Sequence, residues 1–132
     1  MSPARQSATC PSVIYRLQFR RLSVHDQEWE IAYYKTQHGH TPFREWVESL
    51  HDFNARAIIY SRLDRLRLGN FGKCTALGPG IYELKIYYGP GYRVYFGRAG
   101  GKIILLLCGG DKSTQPEDIR KAYDYWRNYK EQ

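Results

Sequence analysis

Cysteine is scarce in this 132-residue chain: Cys10, Cys74 and Cys108 are odd in number, far apart, and form no C-x-x-C pair. That excludes a disulfide framework and a zinc ribbon, and points to a reducing, cytoplasmic setting. Long apolar runs are missing too. The longest, Ile103 to Cys108, is six residues, against the roughly 20 that a membrane-spanning helix requires, so no membrane partner is expected. The first twelve residues hold Arg5 among small and polar side chains, with no apolar core behind them, and no secretory leader is read there. Also absent are a P-loop, a G-x-S-x-G elbow, a dinucleotide fingerprint and a metal-ligating constellation, so neither cofactor nor metal is expected. The histidines, His25, His38, His40 and His51, all lie in the first half and read as solvated loop residues.

What the chain does have is positive charge. Twenty Lys and Arg against thirteen Asp and Glu leave a net +7. Residues 1–60 carry 7 basic and 6 acidic groups, whereas residues 61–132 carry 13 and 7, so the surplus belongs to the second half. Such a surplus attracts polyanions, whether nucleic acid, an acidic protein segment or a membrane surface, without choosing among them. With 42% hydrophobic and 25% charged residues, the composition is that of a globular protein of one domain.

Hydrophobic periodicity divides the chain. Residues 1–27 read as an N-terminal extension, small and polar at first, with a period-two stretch from Val13 to Leu22 that fits an added strand. Residues 28–132 read as the folded domain. A short strand is expected over Trp29 to Tyr34, and Thr41-Pro42 starts a helix whose stripe is Phe43, Trp46, Val47 and Leu50. Asp52 caps a second helix, with Ile59, Leu63 and Leu66 inward and Gly69 as its stop. From Ile81 the period becomes two. Tyr82, Leu84 and Ile86 alternate with Glu83, Lys85 and Tyr87, and Tyr92, Val94 and Phe96 with Arg93 and Tyr95. The Gly89-Pro90-Gly91 turn joins these as an antiparallel pair. Lys102 to Cys108 reads as an interior strand covered on both faces, followed by a turn at Gly109-Gly110. Thr114-Gln115-Pro116-Glu117 reads as a capping box opening a final helix with the stripe Ile119, Ala122, Tyr123, Trp126 and Tyr129. The expected fold class is α+β, a small, mostly antiparallel sheet with two N-terminal helices and one C-terminal helix.

One sheet face gathers chemistry. Lys85 and Arg93 fall on the polar side of paired strands, and Asp111-Lys112 leave the end of a third. Cations about 5 Å apart on one face repel unless an anion bridges them or carboxylates such as Glu83 and Asp111 offset them, which makes an anion site the economical reading. Tyr87 and Tyr95 project from the same face, where aromatic rings beside basic residues can stack on bases. Arg62, Arg65 and Lys73 add further cations for RNA. An exposed sheet face carrying Lys, Arg and Tyr for propensity reasons alone is the competing interpretation.

The ordered motifs Gly69-Asn70-Phe71-Gly72, Leu77-Gly78-Pro79-Gly80-Ile81-Tyr82-Glu83-Leu84-Lys85, Gly89-Pro90-Gly91-Tyr92-Arg93-Val94-Tyr95-Phe96 and Gly109-Gly110-Asp111-Lys112-Ser113-Thr114-Gln115 resemble the RelE/ParE superfamily of toxin–antitoxin toxins. Within it they are most similar to the addiction-module killer branch, also called Gp49-like or HigB-like. The likeness runs from about Trp29 to Tyr129 and includes the Thr41-Pro42-Phe43-Arg44-Glu45-Trp46 helix start. It implies a RelE-like domain and a toxin that cleaves messenger RNA on the ribosome, is silenced by a helix-turn-helix antitoxin, and reaches operator DNA through that complex. The family's sheet arginine maps onto Arg93, and its flanking basic residues onto Lys85 and Lys112. Glu83 stands where some relatives carry a further lysine.

The compatible chemistry needs no metal. The RNA 2′-hydroxyl attacks its own 3′-phosphate, leaving a 2′,3′-cyclic phosphate and a 5′-hydroxyl. Arg93 would hold the non-bridging oxygens, Lys112 or Lys85 would protonate the leaving oxygen, and Asp111 or Glu83 would accept the 2′-hydroxyl proton, Asp111 equally being a turn cap. The alternatives are a ParE-like gyrase inhibitor and an inactive toxin-fold binding module.

Overall fold

Residues 28–132 are described by a computed structural model. The strand expected between Val13 and Leu22, and the whole expected extension over residues 1–27, lie outside them. The first elements follow local signals. After strand β1 (Glu30–Tyr33), Pro42 occupies the first turn of helix α1 (Pro42–Ser49). Thr41 makes no side-chain cap there; instead the Glu45 carboxylate accepts the Thr41 N–H at 3.2 Å. Helix α2 (Phe53–Arg67) is capped as expected, the Asp52 carboxylate accepting the N–H groups of Asn54 and Ala55 at 2.9 and 3.2 Å. It stops where Gly69 takes φ +88° and donates its N–H to the Leu66 carbonyl.

The sheet departs from expectation. The structure is α+β, but the small, mostly antiparallel sheet with two N-terminal helices and one C-terminal helix is not what forms. Five strands, β1, β2 (Cys74–Gly78), β3 (Ile81–Ile86), β4 (Tyr92–Ala99) and β5 (Ile103–Asp111), make a mixed sheet in the order β1-β5-β4-β3-β2. β1 precedes the helix pair and runs parallel to β5, with Glu30 opposite Ile103 and Tyr33 opposite Leu106. The two helices are therefore part of a crossover that leaves one sheet edge and returns to the other. β2, unforeseen in the sequence, pairs antiparallel with β3.

Both faces of the sheet are covered. Leu84, Ile86, Val94, Phe96, Ile104 and Leu106 are buried with Phe43, Val47, Ile59 and Leu63 of α1 and α2. On the opposite face, Ile81, Tyr95, Leu105, Leu107 and Cys108 are buried with Ala122 and Trp126 of helix α3 (Gln115–Lys130). Each fully buried large side chain contributes roughly 1.5–3 kcal/mol of transfer free energy, so both layers are needed.

A bulge in β5 sets which residues face which layer. Tyr95 opposes Cys108 while Phe96 opposes Leu106, leaving Leu107 as the extra residue. An added residue reverses the alternation beyond it, so Cys108 and Gly110 join the α3 face and Gly109 turns to α1. β5 also runs on through Gly109-Gly110, where a turn was expected. Both glycines are close-approach sites: a side chain at Gly109 would enter the Trp46 ring, and one at Gly110 would enter the Asp118 carboxylate. The strand ends in a 3-10 turn, Lys112–Thr114, leading into α3. The expected capping box does not close, because the Thr114 hydroxyl bonds to Asp118 and Glu117 pairs with Arg120. Among the described residues, no helix is long and apolar enough to cross a membrane.

Candidate nucleic-acid interface

Lys85 and Arg93 stand directly opposite each other on β3 and β4, and Gly110 is the β5 residue opposite Arg93. The bulge therefore puts the end of β5 on their face, and the 3-10 turn that follows delivers Lys112. The three cations line one hollow of about 370 Å³, closed by the Tyr88-Gly89-Pro90-Gly91 turn and by Tyr87, Ile86 and Tyr92. Gly91 marks how closely they converge: its missing Cβ would lie 3.5 Å from Arg93 Nη1 and 3.9 Å from Lys112 Cβ. The turn itself is pinned by the Gly91 N–H bonding the Tyr88 carbonyl at 3.0 Å.

Behind Arg93 lies a buried carboxylate. Glu83 Oε2 is 3.7 Å from Arg93 Nε, with the two side chains 3% and 11% exposed. The same oxygen accepts the Tyr95 hydroxyl at 2.9 Å and the Gln115 side-chain amide at 2.8 Å. Arg93 Nη1 donates to the Gly91 carbonyl at 3.1 Å. Arg93 Nε is buried and without a hydrogen-bond partner among the described residues. The guanidinium is thus held from behind by charge and from the side by the turn.

Several expected roles change. Tyr95, a stacking platform by alternation alone, is fully buried under α3; burial and the bond to Glu83 push its phenol well above the usual range. It cannot stack on a base. Glu83, 2% exposed, is likewise removed from RNA contact and from proton transfer with a bound hydroxyl; its partners make it the support of Arg93. Both revisions share a cause: α3 covers the face that alternation alone leaves to solvent. Asp111 takes the capping role, its Oδ1 accepting the N–H of Ser113 at 2.8 Å and the Ser113 hydroxyl, and it does not line the cation hollow.

Tyr87 is 74% exposed at the rim, with Lys73 Nζ 5.9 Å from its ring centre. Arg62 lies behind β3, donating to the Lys85 carbonyl at 3.3 Å. Arg65 is exposed on α2, and neither arginine lines the hollow. Gln115, Tyr88 and Tyr92 also belong to the site, although alternation and charge do not mark them in the sequence. Tyr88 donates its hydroxyl to Asp52 at 3.0 Å, tying the turn to the cap of α2. Burial, then the Asp52 and Asp111 carboxylates, raise the Tyr92 phenol. Their positions next to the glycine turn and in the Thr-Gln-Pro segment were the available signals.

No family model matches the sequence. An uncharacterized protein of Haemophilus influenzae is 48% identical over 80 residues, 61% of this chain and 81% of that protein.

Proposed function

We propose, for a chain that belongs to the same family as this uncharacterized Haemophilus influenzae protein, that it is the toxin of a type II toxin–antitoxin system. In this reading it acts in the cytoplasm as a metal-independent endoribonuclease that cleaves messenger RNA on the ribosome and so inhibits translation. Its motif resemblance to RelE/ParE toxins belongs to the same proposal, as do a helix-turn-helix antitoxin partner and operator DNA bound through that complex. The observation that carries the reading is the shared hollow of Lys85, Arg93 and Lys112, lined by no carboxylate among the described residues. Glu83 offsets Arg93 from behind, while Lys85 and Lys112 share the hollow with it, and a phosphate diester is an anion that all three can grip.

Arg93, fixed by Glu83 and by the Gly91 carbonyl, presents preorganised donors to the non-bridging oxygens, where charge grows as the 2′-hydroxyl attacks. Lys112 is exposed and Lys85 half-buried, and either supplies the leaving oxygen with a proton. With Asp111 engaged as a cap and Glu83 buried, no carboxylate among the described residues lines the hollow, and the 2′-hydroxyl proton passes to water as the oxygen attacks. Alignment of the 2′-hydroxyl then falls to the ribosome, which makes the isolated protein a slow nuclease.

The test is induced expression of the wild type, Arg93→Ala and Lys112→Ala, with growth and transcript integrity followed together. Arrest with cleaved messages in the wild type, relieved in both variants, supports the nuclease. Arrest with intact messages and trapped gyrase–DNA complexes rejects it. Lys112 is included because its exposure separates loss of function from the folding cost of removing buried Arg93.

A further inference from the structure

A second hollow, about 640 Å³, is lined by residues next to those of the first. Tyr92 lines the cation hollow and stands opposite Asp111 in the β4–β5 register, and its ring meets that of Trp46 at 6.1 Å between centres. Trp46 and Asp111 line the second hollow, whereas Lys112, the next residue, lines the first. The two linings thus meet at the Tyr92–Trp46 ring contact and at the consecutive residues Asp111 and Lys112. The second is a slot floored by the β5 glycines, with Trp46 of α1 on one side and Asp118, Lys121 and Tyr125 of α3 on the other. Asp118 is only 8% exposed yet its carboxylate borders the slot, with Oδ2 accepting the Thr114 hydroxyl.

We propose that this slot receives the base of the nucleotide next to the phosphate held by Lys85, Arg93 and Lys112, and that it selects guanine. The inference rests on the RNA-binding reading of the first hollow. A slot with an indole on one wall accepts a flat heteroaromatic ring, because a π-face stacks on any base. The carboxylate then discriminates among bases, since it only accepts hydrogen bonds. Guanine offers two adjacent donors, N1–H and the N2 amino group, which match two carboxylate oxygens. Adenine and cytosine offer one amino group beside an acceptor nitrogen that faces the carboxylate unfavourably. Uracil offers one N–H between two carbonyls. Lys121, exposed on the wall, supplies a cation towards the O6 side of a guanine.

The experiment is an NMR titration of the full chain with guanosine 3′-monophosphate, uridine 3′-monophosphate and inorganic phosphate. All three are expected to shift the Arg93 and Lys112 amide signals. Guanosine 3′-monophosphate is expected to shift the Trp46 indole and the Gly110 and Asp118 amides at lower concentration than the uridine nucleotide, binding about tenfold tighter, within the discrimination of a bidentate base contact, whereas inorganic phosphate leaves them unmoved. Asp118→Asn, of the same shape, should remove that preference while leaving the phosphate shifts. Trp46→Phe, which keeps a ring over Gly109, is a second variant expected to weaken the guanosine response alone. Equal affinity for the two nucleotides with phosphate shifts intact overturns the guanine slot and leaves the RNA-gripping reading standing. No shift at Arg93 and Lys112 with any ligand overturns both.

Discussion

One oxygen organises the candidate site. Glu83 Oε2 takes the Tyr95 hydroxyl, the Gln115 amide and the charge of Arg93. Stripping one member from a buried ion pair leaves the other uncompensated, a loss of about 3–5 kcal/mol. The 3.7 Å separation and the residual exposure of Arg93 put this pair at the lower end, so Glu83→Ala is expected to cost about 3 kcal/mol in urea denaturation. Tyr95→Phe removes a single hydrogen bond and is expected to cost about 1 kcal/mol. Gln115→Ala should disturb RNA affinity more than stability, because it frees the carboxylate that fixes Arg93 while the surrounding core stays intact. The buried thiol of Cys108 gives a pH signature. Burial, with Asp118 nearby, pushes it from 9.0 to about 12. Its contribution is fully present below pH 9 and is lost as pH rises towards 12, because the unfolded chain releases a proton that the folded one retains. Cys108→Ala is therefore expected to flatten the fall of stability across that window by about 1.4 kcal/mol per pH unit, as read by chemical denaturation at stepped pH.

At the scale of elements, caps and close approaches make separate demands. Asp52→Ala removes the cap of α2 and should lower stability by about 1 kcal/mol; it also releases the Tyr88 hydroxyl and with it the turn that closes the cation hollow. Gly110→Ala drives a methyl into Asp118 and should cost about 1–3 kcal/mol, seen as a lowered thermal midpoint. These elements were unequally legible. Proline after Thr41, Asp52 before an apolar stripe, Gly69 after it and glycines between alternating runs mark the helix pair and the β3–β4 hairpin, because each acts through its immediate neighbours. β2 was not legible: Cys74–Gly78 has no clean alternation and lies at a sheet edge where little is buried. The bulge at Leu107 was hidden inside a continuous apolar run, where nothing distinguishes an inserted residue. The burial of Tyr95 and Glu83 depends on α3 crossing that face, a tertiary fact that periodicity along β3 and β4 does not contain. The convergence of Lys85, Arg93 and Lys112 was legible from strand register, although the bulge that permits it was not.

For the whole molecule, the charge surplus of the second half and the shared hollow lead to a common expectation. If the chain grips RNA as proposed, its affinity should fall steeply with salt, since each neutralised phosphate releases condensed counterion. Lys112→Ala should reduce the slope of log affinity against log salt by about 0.7, the value for one contact to a single strand, in a fluorescence titration at several ionic strengths. An unchanged slope would exclude Lys112 from phosphate contact. The parallel pairing of β1 with β5 has a different consequence, one for biosynthesis. The earliest strand of the described chain finds its neighbour only once residues 103–106 have been made, and the helix that shields Glu83 is made after all five strands of the sheet. A nascent chain still short of Asp111 has no complete sheet, no third cation and no roof over the buried carboxylate. The cation site is therefore not assembled until β5 and the turn beyond it have been made.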